Sequence, residues 1–329
     1  MVKLSNDTLR EISVGSVKIV EEDGLLLFLK YTDSQTAAFG PYRKISPCTC
    51  TTGIKFDFYT NSKNLALAVA TEGKYEIWVD GLLRHYIVAG EGGNLAVGER
   101  FEAELSDTLG RKKGEYRVTV YFPSHSVGVI KYLELDEGAT VRRSEKKKKL
   151  LMLGDSITHG YDAIFPSLSY ANTLARELDF DMTNQAIGGE MFRLRILPEE
   201  SSLSPDYITV AYGTNDWSWS GKTLEECVEK EKAFFTKLKG LYPDAKIFYI
   251  SPLYRGDNHR ITTLGDFRGA VKAFSDVARE YGAEVIDGVK LIPHSPLMFE
   301  DKYLHPNDLG FTQYANALLK ELALLGLKR

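Results

Sequence analysis

The sequence predicts two domains of different class: an all-β sandwich of jelly-roll type, then an α/β domain built on a parallel sheet. Three observations predict it. Apolar residues alternate with period two through the first half, short apolar runs alternate with helical periodicities through the second, and a lysine-rich stretch separates them.

Taken in chain order, "SVKIV" and "GLLLFLKY" are the first strand candidates. In "IKFDFYT", Ile54, Phe56 and Phe58 face one way, with Lys55 and Asp57 facing the other. "YEIWVDG" sets Tyr75, Ile77 and Val79 against Glu76, Trp78 and Asp80, and Asp80-Gly81 supplies a hairpin turn. "YRVTVYF" repeats the pattern with Tyr116, Val118, Val120 and Phe122, and "VIKYLEL" follows. Many short half-buried strands, with Gly, Asn and Asp between them and no convincing helix, read as a β-sandwich. The run "RRSEKKKK" at 142–149 reads as a solvated linker rather than a binding patch. The expected domains are therefore residues 1–145 and 146–329.

After that run, "KLLMLG", "MTNQAI", "YITVAYG", "KIFYIS" and "AEVID" are buried-strand segments. Between them lie helical stretches. Phe267, Ala270, Val271, Phe274, Val277, Ala278 and Tyr281 mark one helical face, and Phe311, Tyr314, Ala315, Leu318, Leu319 and Leu322 mark another. Strand and helix in strict alternation predict a parallel sheet covered on both faces, with functional residues at the carboxyl ends of the strands.

Composition narrows the function. A chain of 329 residues with formal net charge -4 offers no electrostatic case for nucleic acid or an anionic membrane, and no apolar run is long enough to span a bilayer. Cys48, Cys50 and Cys227 form neither a disulfide framework nor a metal site. The N-terminus lacks the apolar core of a signal peptide, so a cytoplasmic protein with reduced thiols is expected. No cofactor and no metal are expected; a homo-oligomer is compatible with the sequence.

Four strand ends carry chemistry. "LMLGDSITHGYD" stops a buried strand at Gly154-Asp155-Ser156, which puts a serine hydroxyl at the rim of the sheet. By itself Ser156 is equally a turn or cap residue. "NQAIGGE" places Gly188 and Gly189 after the next strand, where a glycine lets a backbone N–H approach a ligand. "VAYGTNDW" places Asn215 where its amide can donate, and "DKYLHPNDLG" places His305 before the last helix, which Pro306 helps to start. Serine, histidine base, glycine N–H and asparagine amide are what acyl transfer through a tetrahedral intermediate requires. His159 reads as a rim or structural residue, Asp155 as a loop-fixing one, and Asp216 as support for the Asn215 turn. No pair of carboxylates stands out as a glycosidase would need.

"GDSI", "N-x-x-I-x-G", "G-x-N-D" and "H-P-N", in this order over about residues 148–329, resemble the four blocks of SGNH (GDSL-type) hydrolases. The motif is not the G-x-S-x-G elbow, because Thr158 stands at the second glycine. The resemblance implies a flavodoxin-like parallel sheet. It implies Ser156 as nucleophile and His305 as general base, with an oxyanion hole of the Ser156 N–H, the Gly189 N–H and the Asn215 amide. One departure stands out. The family acid usually lies three residues before the histidine, where this chain has Lys302, while Asp301 lies four before. Either the loop bulges and Asp301 still reaches His305, or a backbone carbonyl orients the imidazole of a Ser-His dyad.

Trp217 and Trp219 follow the asparagine block, and their rings are either platforms for a sugar or packing beneath the sheet. A sandwich followed by an SGNH domain is similar to the acetyl-esterases of carbohydrate esterase family two, some of which use a dyad; the sandwich itself carries no motif, so this is a likeness of layout. Three functions are consistent with these features. The first is a carbohydrate O-deacetylase acting on small-molecule or oligosaccharide esters. The second is an SGNH esterase, lipase or thioesterase for non-carbohydrate short-chain acyl groups. The third is a carbohydrate-binding protein with a vestigial hydrolase domain.

Overall fold

The computed structural model describes residues 1–41, 46–105 and 114–327, and the chain forms two compact units.

The first unit comprises Met1–Thr32, Lys44–Lys146 and Phe165–Ser167. It opens with β1 (Val2–Lys3), α1 (Asn6–Ile12), β2 (Ser13–Val14), β3 (Lys18–Glu22) and β4 (Leu25–Leu29). After α2 (Asp33–Ala38), which belongs to the second unit, come α3 (Ser46–Thr49), β5 (Lys55–Thr60), β6 (Asn64–Val69), β7 (Gly73–Val79) and β8 (Leu82–Ala89). Next are β9 (Phe101–Glu104), β10 (Tyr116–Tyr121), β11 (Ile130–Leu135) and β12 (Val141–Arg143). A four-stranded sheet runs β1-β11-β6-β9, and a six-stranded sheet runs β12-β5-β10-β7-β8 with β2 beside β5. Their inner faces share one core, in which Phe56, Phe58, Ile77 and Val120 of one sheet lie with Leu65, Leu67 and Leu133 of the other. This is the expected antiparallel, jelly-roll-like sandwich. Asp80 and Gly81 join β7 to β8 with φ of 50° and 80°, the doubly left-handed turn that matches strand twist.

Three details depart from the sequence reading. The half is not free of helix: α1 is capped by the Ser5 hydroxyl and buries Leu9 and Ile12. Its seven residues are too short for a periodic signal. The second face of β5 is not solvated, because Lys55 and Asp57 are buried as well. Arg117 grips the Asp57 carboxylate through Nε at 2.9 Å and Nη2 at 2.8 Å, and Lys146 lies 3.0 Å away. Residues 142–149 are accordingly more than a solvated linker. Arg142 stacks on Tyr59, Lys146 is almost fully buried on Asp57, and Lys148 pairs with Asp206.

The second unit comprises residues 33–43, 147–164 and 168–329. Its elements are β13 (Lys149–Gly154), α4 (Ser156–His159), α5 (Tyr170–Leu178), β14 (Asp181–Asn184), β15 (Tyr207–Ala211), α6 (Thr214–Trp219) and α7 (Leu224–Leu241). They continue with β16 (Lys246–Ile250), the hairpin β17 (Ile261–Thr262) and β18 (Gly265–Asp266), α8 (Phe267–Glu280), β19 (Glu284–Ile286) and α9 (Asp308–Leu324). The five-stranded parallel sheet has the order β14-β13-β15-β16-β19. Counted from β13 this is the doubly wound 2-1-3-4-5 order, whose crevice lies between the carboxyl ends of β13 and β15. Leu150, Met152, Phe248 and Ile250 meet α5 and α9 on one face. On the other face, Tyr249 and Tyr212 meet Phe192, Phe234 and Phe235. Alternation is not strict: the β14-to-β15 crossover holds a 3-10 turn at Leu194–Ile196 in place of an α-helix. Pro306 lies outside α9, which is capped by the Asn307 side chain on Gly310 N at 3.0 Å.

Helix α2 packs within this unit although it comes early in the chain. Its buried Gln35 donates to Ile196 O at 2.5 Å and to Gln185 Oε1 at 3.1 Å. Among the described residues, no helix is long and apolar enough to cross a membrane.

Candidate active site

Strand β13 ends at Gly154, where any Cβ would collide with the Thr158 side chain, so the chain can turn directly into α4. Asp155 caps that turn, its Oδ1 accepting from Ile157 N at 3.0 Å. Ser156 is the first helical residue, a position whose N–H has no acceptor within the helix. Its hydroxyl is 2.8 Å from His305 Nε2. The ring's other nitrogen, Nδ1, is 2.9 Å from Asp301 Oδ2.

The extra residue between acid and histidine is absorbed at Lys302, whose φ of 72° is in the left-handed region. That bend turns the peptide N–H groups of Tyr303, Leu304 and His305 onto Asp301 Oδ1, at 3.0, 2.8 and 3.1 Å. Partial burial pushes the Asp301 carboxyl up, but those three N–H donors and the imidazole outweigh it and hold it below the usual carboxylate range. An ionised Asp301 can only accept, so His305 Nδ1 donates and neutral Nε2 is left to accept the serine proton. A second carboxylate, Asp162 Oδ2, stands 3.9 Å from Nδ1. Asp162 also has a left-handed backbone, φ 67°, and is six residues past Ser156, where no motif pointed to it.

Gly189 has φ 75°, and among the described residues its N–H meets no protein acceptor. Asn184 secures this segment to the serine turn, accepting from Ala186 N at 3.0 Å and donating to Thr158 O at 2.9 Å. Glu190 is fully buried and paired with Arg193 and Arg195. Asn215 Nδ2 donates to Glu190 O at 3.0 Å, which joins the second and third blocks. Below them, buried Arg255 donates to Thr214 Oγ1 at 2.9 Å and pairs with Asp257. Glu190 and Arg255 were invisible to motif reading; a charged residue two positions from its counter-charge after a strand end is the signal Arg255 leaves.

The two tryptophans separate. Trp217 is buried, edge-on to Phe267, with its indole N–H on Gly265 O at 3.1 Å; it is a core residue and no cleft wall, which corrects the pairing of the two as sugar platforms. Trp219 is 58% exposed beside Gly189. His159 is buried against Tyr161, and the Ser156 hydroxyl bonds to His305 instead. Burial pushes Asp155 and Asp216 up to about 7 each. Asp216 accepts from Phe192 N at 3.4 Å. A small cavity of about 20 Å³, room for one water, lies beside Asp155 and Ser251. No cluster of three or more His, Cys, Asp or Glu side chains among the described residues is placed to hold a metal.

A doubly wound sheet with these blocks at its strand ends has the architecture of a carboxylic ester hydrolase. Residues 152–312 match the model of the GDSL-like Lipase/Acylhydrolase family. No curated protein matches the sequence. Among solved structures, a salicylyl-acyltransferase, SsfX3, from a tetracycline biosynthetic pathway superposes with TM-score 0.77 at 20% identity, over 96% of this chain and 94% of that one. A family two carbohydrate esterase from Cellvibrio japonicus gives 0.64 at 15%, over 98% and 97%. One from Corynascus thermopiles (Myceliophthora fergusii), with a carbohydrate binding domain, gives 0.63 at 18%, over 84% and 95%. At such identities the likeness establishes the fold.

Proposed function

We propose that the protein removes O-acetyl groups from acetylated oligosaccharides through an acyl-enzyme on Ser156. The observation that carries the reading is the continuous relay from Ser156 Oγ through His305 to Asp301, at 2.8 and 2.9 Å. Ser156 Oγ attacks the ester carbonyl while His305 Nε2 takes its proton. The negative charge on the carbonyl oxygen is met by the N–H groups of Ser156 and Gly189 and by the Asn215 amide. Collapse expels the sugar alcohol, which takes the proton from His305; water then repeats the sequence to release acetate. Asp301 fixes the tautomer and faces the imidazolium without itself taking the proton.

The acyl group and the alcohol are the finer part of the reading. Trp219 offers an exposed aromatic face beside Gly189, on which the apolar C–H face of a sugar ring can lie. The carbohydrate esterases among the structural neighbours support the same choice. The test is acetate release from acetylated xylan and mannan oligosaccharides, beside 4-nitrophenyl acetate and octanoate, with Ser156→Ala as blank. Ser156-dependent release from the glycans is expected. Turnover of the simple esters alone would send the substrate elsewhere, and glycan binding without turnover would make the hydrolase unit vestigial.

A further inference from the structure

Trp219 poses a problem that sugar stacking does not cover. Its indole N–H is not left to solvent; it donates to Asn215 Oδ1 at 3.1 Å, one helical turn back along α6. Its six-membered ring sits where a Cβ on Gly189 would meet it at 3.5–3.7 Å. Both oxyanion donors that lie outside the serine turn therefore neighbour this one side chain, Asn215 through a hydrogen bond and Gly189 through the space a side chain there would fill.

We propose that Trp219 is a positioning residue of the oxyanion hole, its indole N–H clamping the Asn215 amide while its ring covers Gly189. The chemistry of the partners makes the clamp directional. An indole N–H can only donate and the Glu190 carbonyl can only accept, so Oδ1 must face Trp219 and Nδ2 must face Glu190. One Nδ2 hydrogen is spent on Glu190 O; the other has no protein partner among the described residues and is the one available to a developing oxyanion. Without the indole, rotation of the amide exposes its oxygen, which repels an oxyanion instead of binding it. The far anchor is rigid, because the buried Glu190 carboxylate is held by Arg193 and Arg195. A tryptophan 58% exposed does not owe its place to burial. The ring over Gly189 also links occupancy of the exposed aromatic face to the geometry of the donors beneath it.

This inference rests on the esterase reading, and the experiment separates the two. Trp219→Phe keeps an aromatic side chain but removes the indole N–H together with the five-membered ring that carries it. On 4-nitrophenyl acetate, which has no sugar to stack, kcat is expected to fall about tenfold or more with KM unchanged, a part of the cost of losing one donor outright. In an Asn215→Ala background the same substitution is expected to cost much less than in the wild type, since the amide that the indole N–H clamps is gone and only the ring beside Gly189 is altered. Unchanged kcat in Trp219→Phe, or a loss that multiplies with that of Asn215→Ala, would overturn the proposal and leave Trp219 a substrate platform only. Loss of Ser156 dependence in the wild type would instead remove the esterase reading, and this inference with it.

Discussion

The two units bury carboxylates in opposite ways. In the sandwich, Asp57 is fully buried between Arg117 and Lys146. Burial pushes its carboxyl up, yet the Arg117 hydrogen bonds and the charges of Lys55, Arg117 and Lys146 bring it below the ordinary range. In the hydrolase unit, Asp155, Asp216 and Glu231 are buried with no ion pair among the described residues. There burial dominates: Asp155 and Asp216 rise to about 7, and Glu231 to about 10. Among the described residues, both Glu231 oxygens and Asp216 Oδ2 lack hydrogen-bond partners. The sandwich pairs its buried carboxylate with cations. The hydrolase unit tolerates buried acids in and beneath the strand ends that carry the active site, where local rules give way to function.

Asp301 is a third solution, a half-buried carboxylate kept ionised by three peptide N–H groups rather than by cations. These differences can be broken one at a time. Asp57→Asn strands two cations and is expected to destabilise the protein by about 3–5 kcal/mol in urea or thermal unfolding at neutral pH. Because the folded carboxyl titrates below its unfolded value of 3.8, that stabilisation is present above this value and is lost as pH falls through the folded one. The gap between wild type and variant therefore closes in acid.

Asp301→Asn comes next. It removes the acceptor that sets the His305 tautomer, and kcat is expected to fall several hundred-fold, roughly 3–4 kcal/mol, with KM little changed. Near-wild-type turnover would mean that another group, Asp162 foremost, orients the ring. The smallest effect belongs to Glu231→Met, which replaces an unpartnered acid by an apolar side chain of similar length and is expected to stabilise by about 1–2 kcal/mol. Its folded pKa lies above the unfolded 4.5, so the wild type's stability from this group is full below 4.5 and lost toward 10. The advantage of the variant in melting temperature should accordingly grow from pH 5 to pH 9; a constant difference would mean that Glu231 is not a protonated buried acid.

What the sequence showed and hid follows from the range of the forces involved. Period-two alternation marked β5, β7 and β10 because one face of each strand packs in the sandwich core. Apolar runs marked β13, β15 and β16, which are covered on both sides. Ser156, Gly189 and Asn215 were legible because strand ends are where a parallel sheet collects polar side chains. His305 follows no sheet strand directly, lying 19 residues past the end of β19 and just before α9, and was legible from its H-P-N block. Other features depend on contacts distant in sequence. The place of α2 rests on Gln35 meeting Gln185, and the buried face of β5 rests on Arg117 and Lys146. The reach of Asp301 depends on a left-handed lysine, which has no sequence signature. Trp217 and Trp219 stand together in sequence but share no face. On helix α6, residues two apart point about 200° apart, so one ring enters the core and the other faces solvent.

The central claim is that Ser156 is the nucleophile, activated by His305 and Asp301. It is tested most directly by treating the protein with a fluorophosphonate and locating the adduct by peptide mass mapping. The account predicts a single adduct, on Ser156, formed rapidly in the wild type and far more slowly in Asp301→Asn. An adduct on another residue, or none from a preparation that still turns over esters, would contradict it.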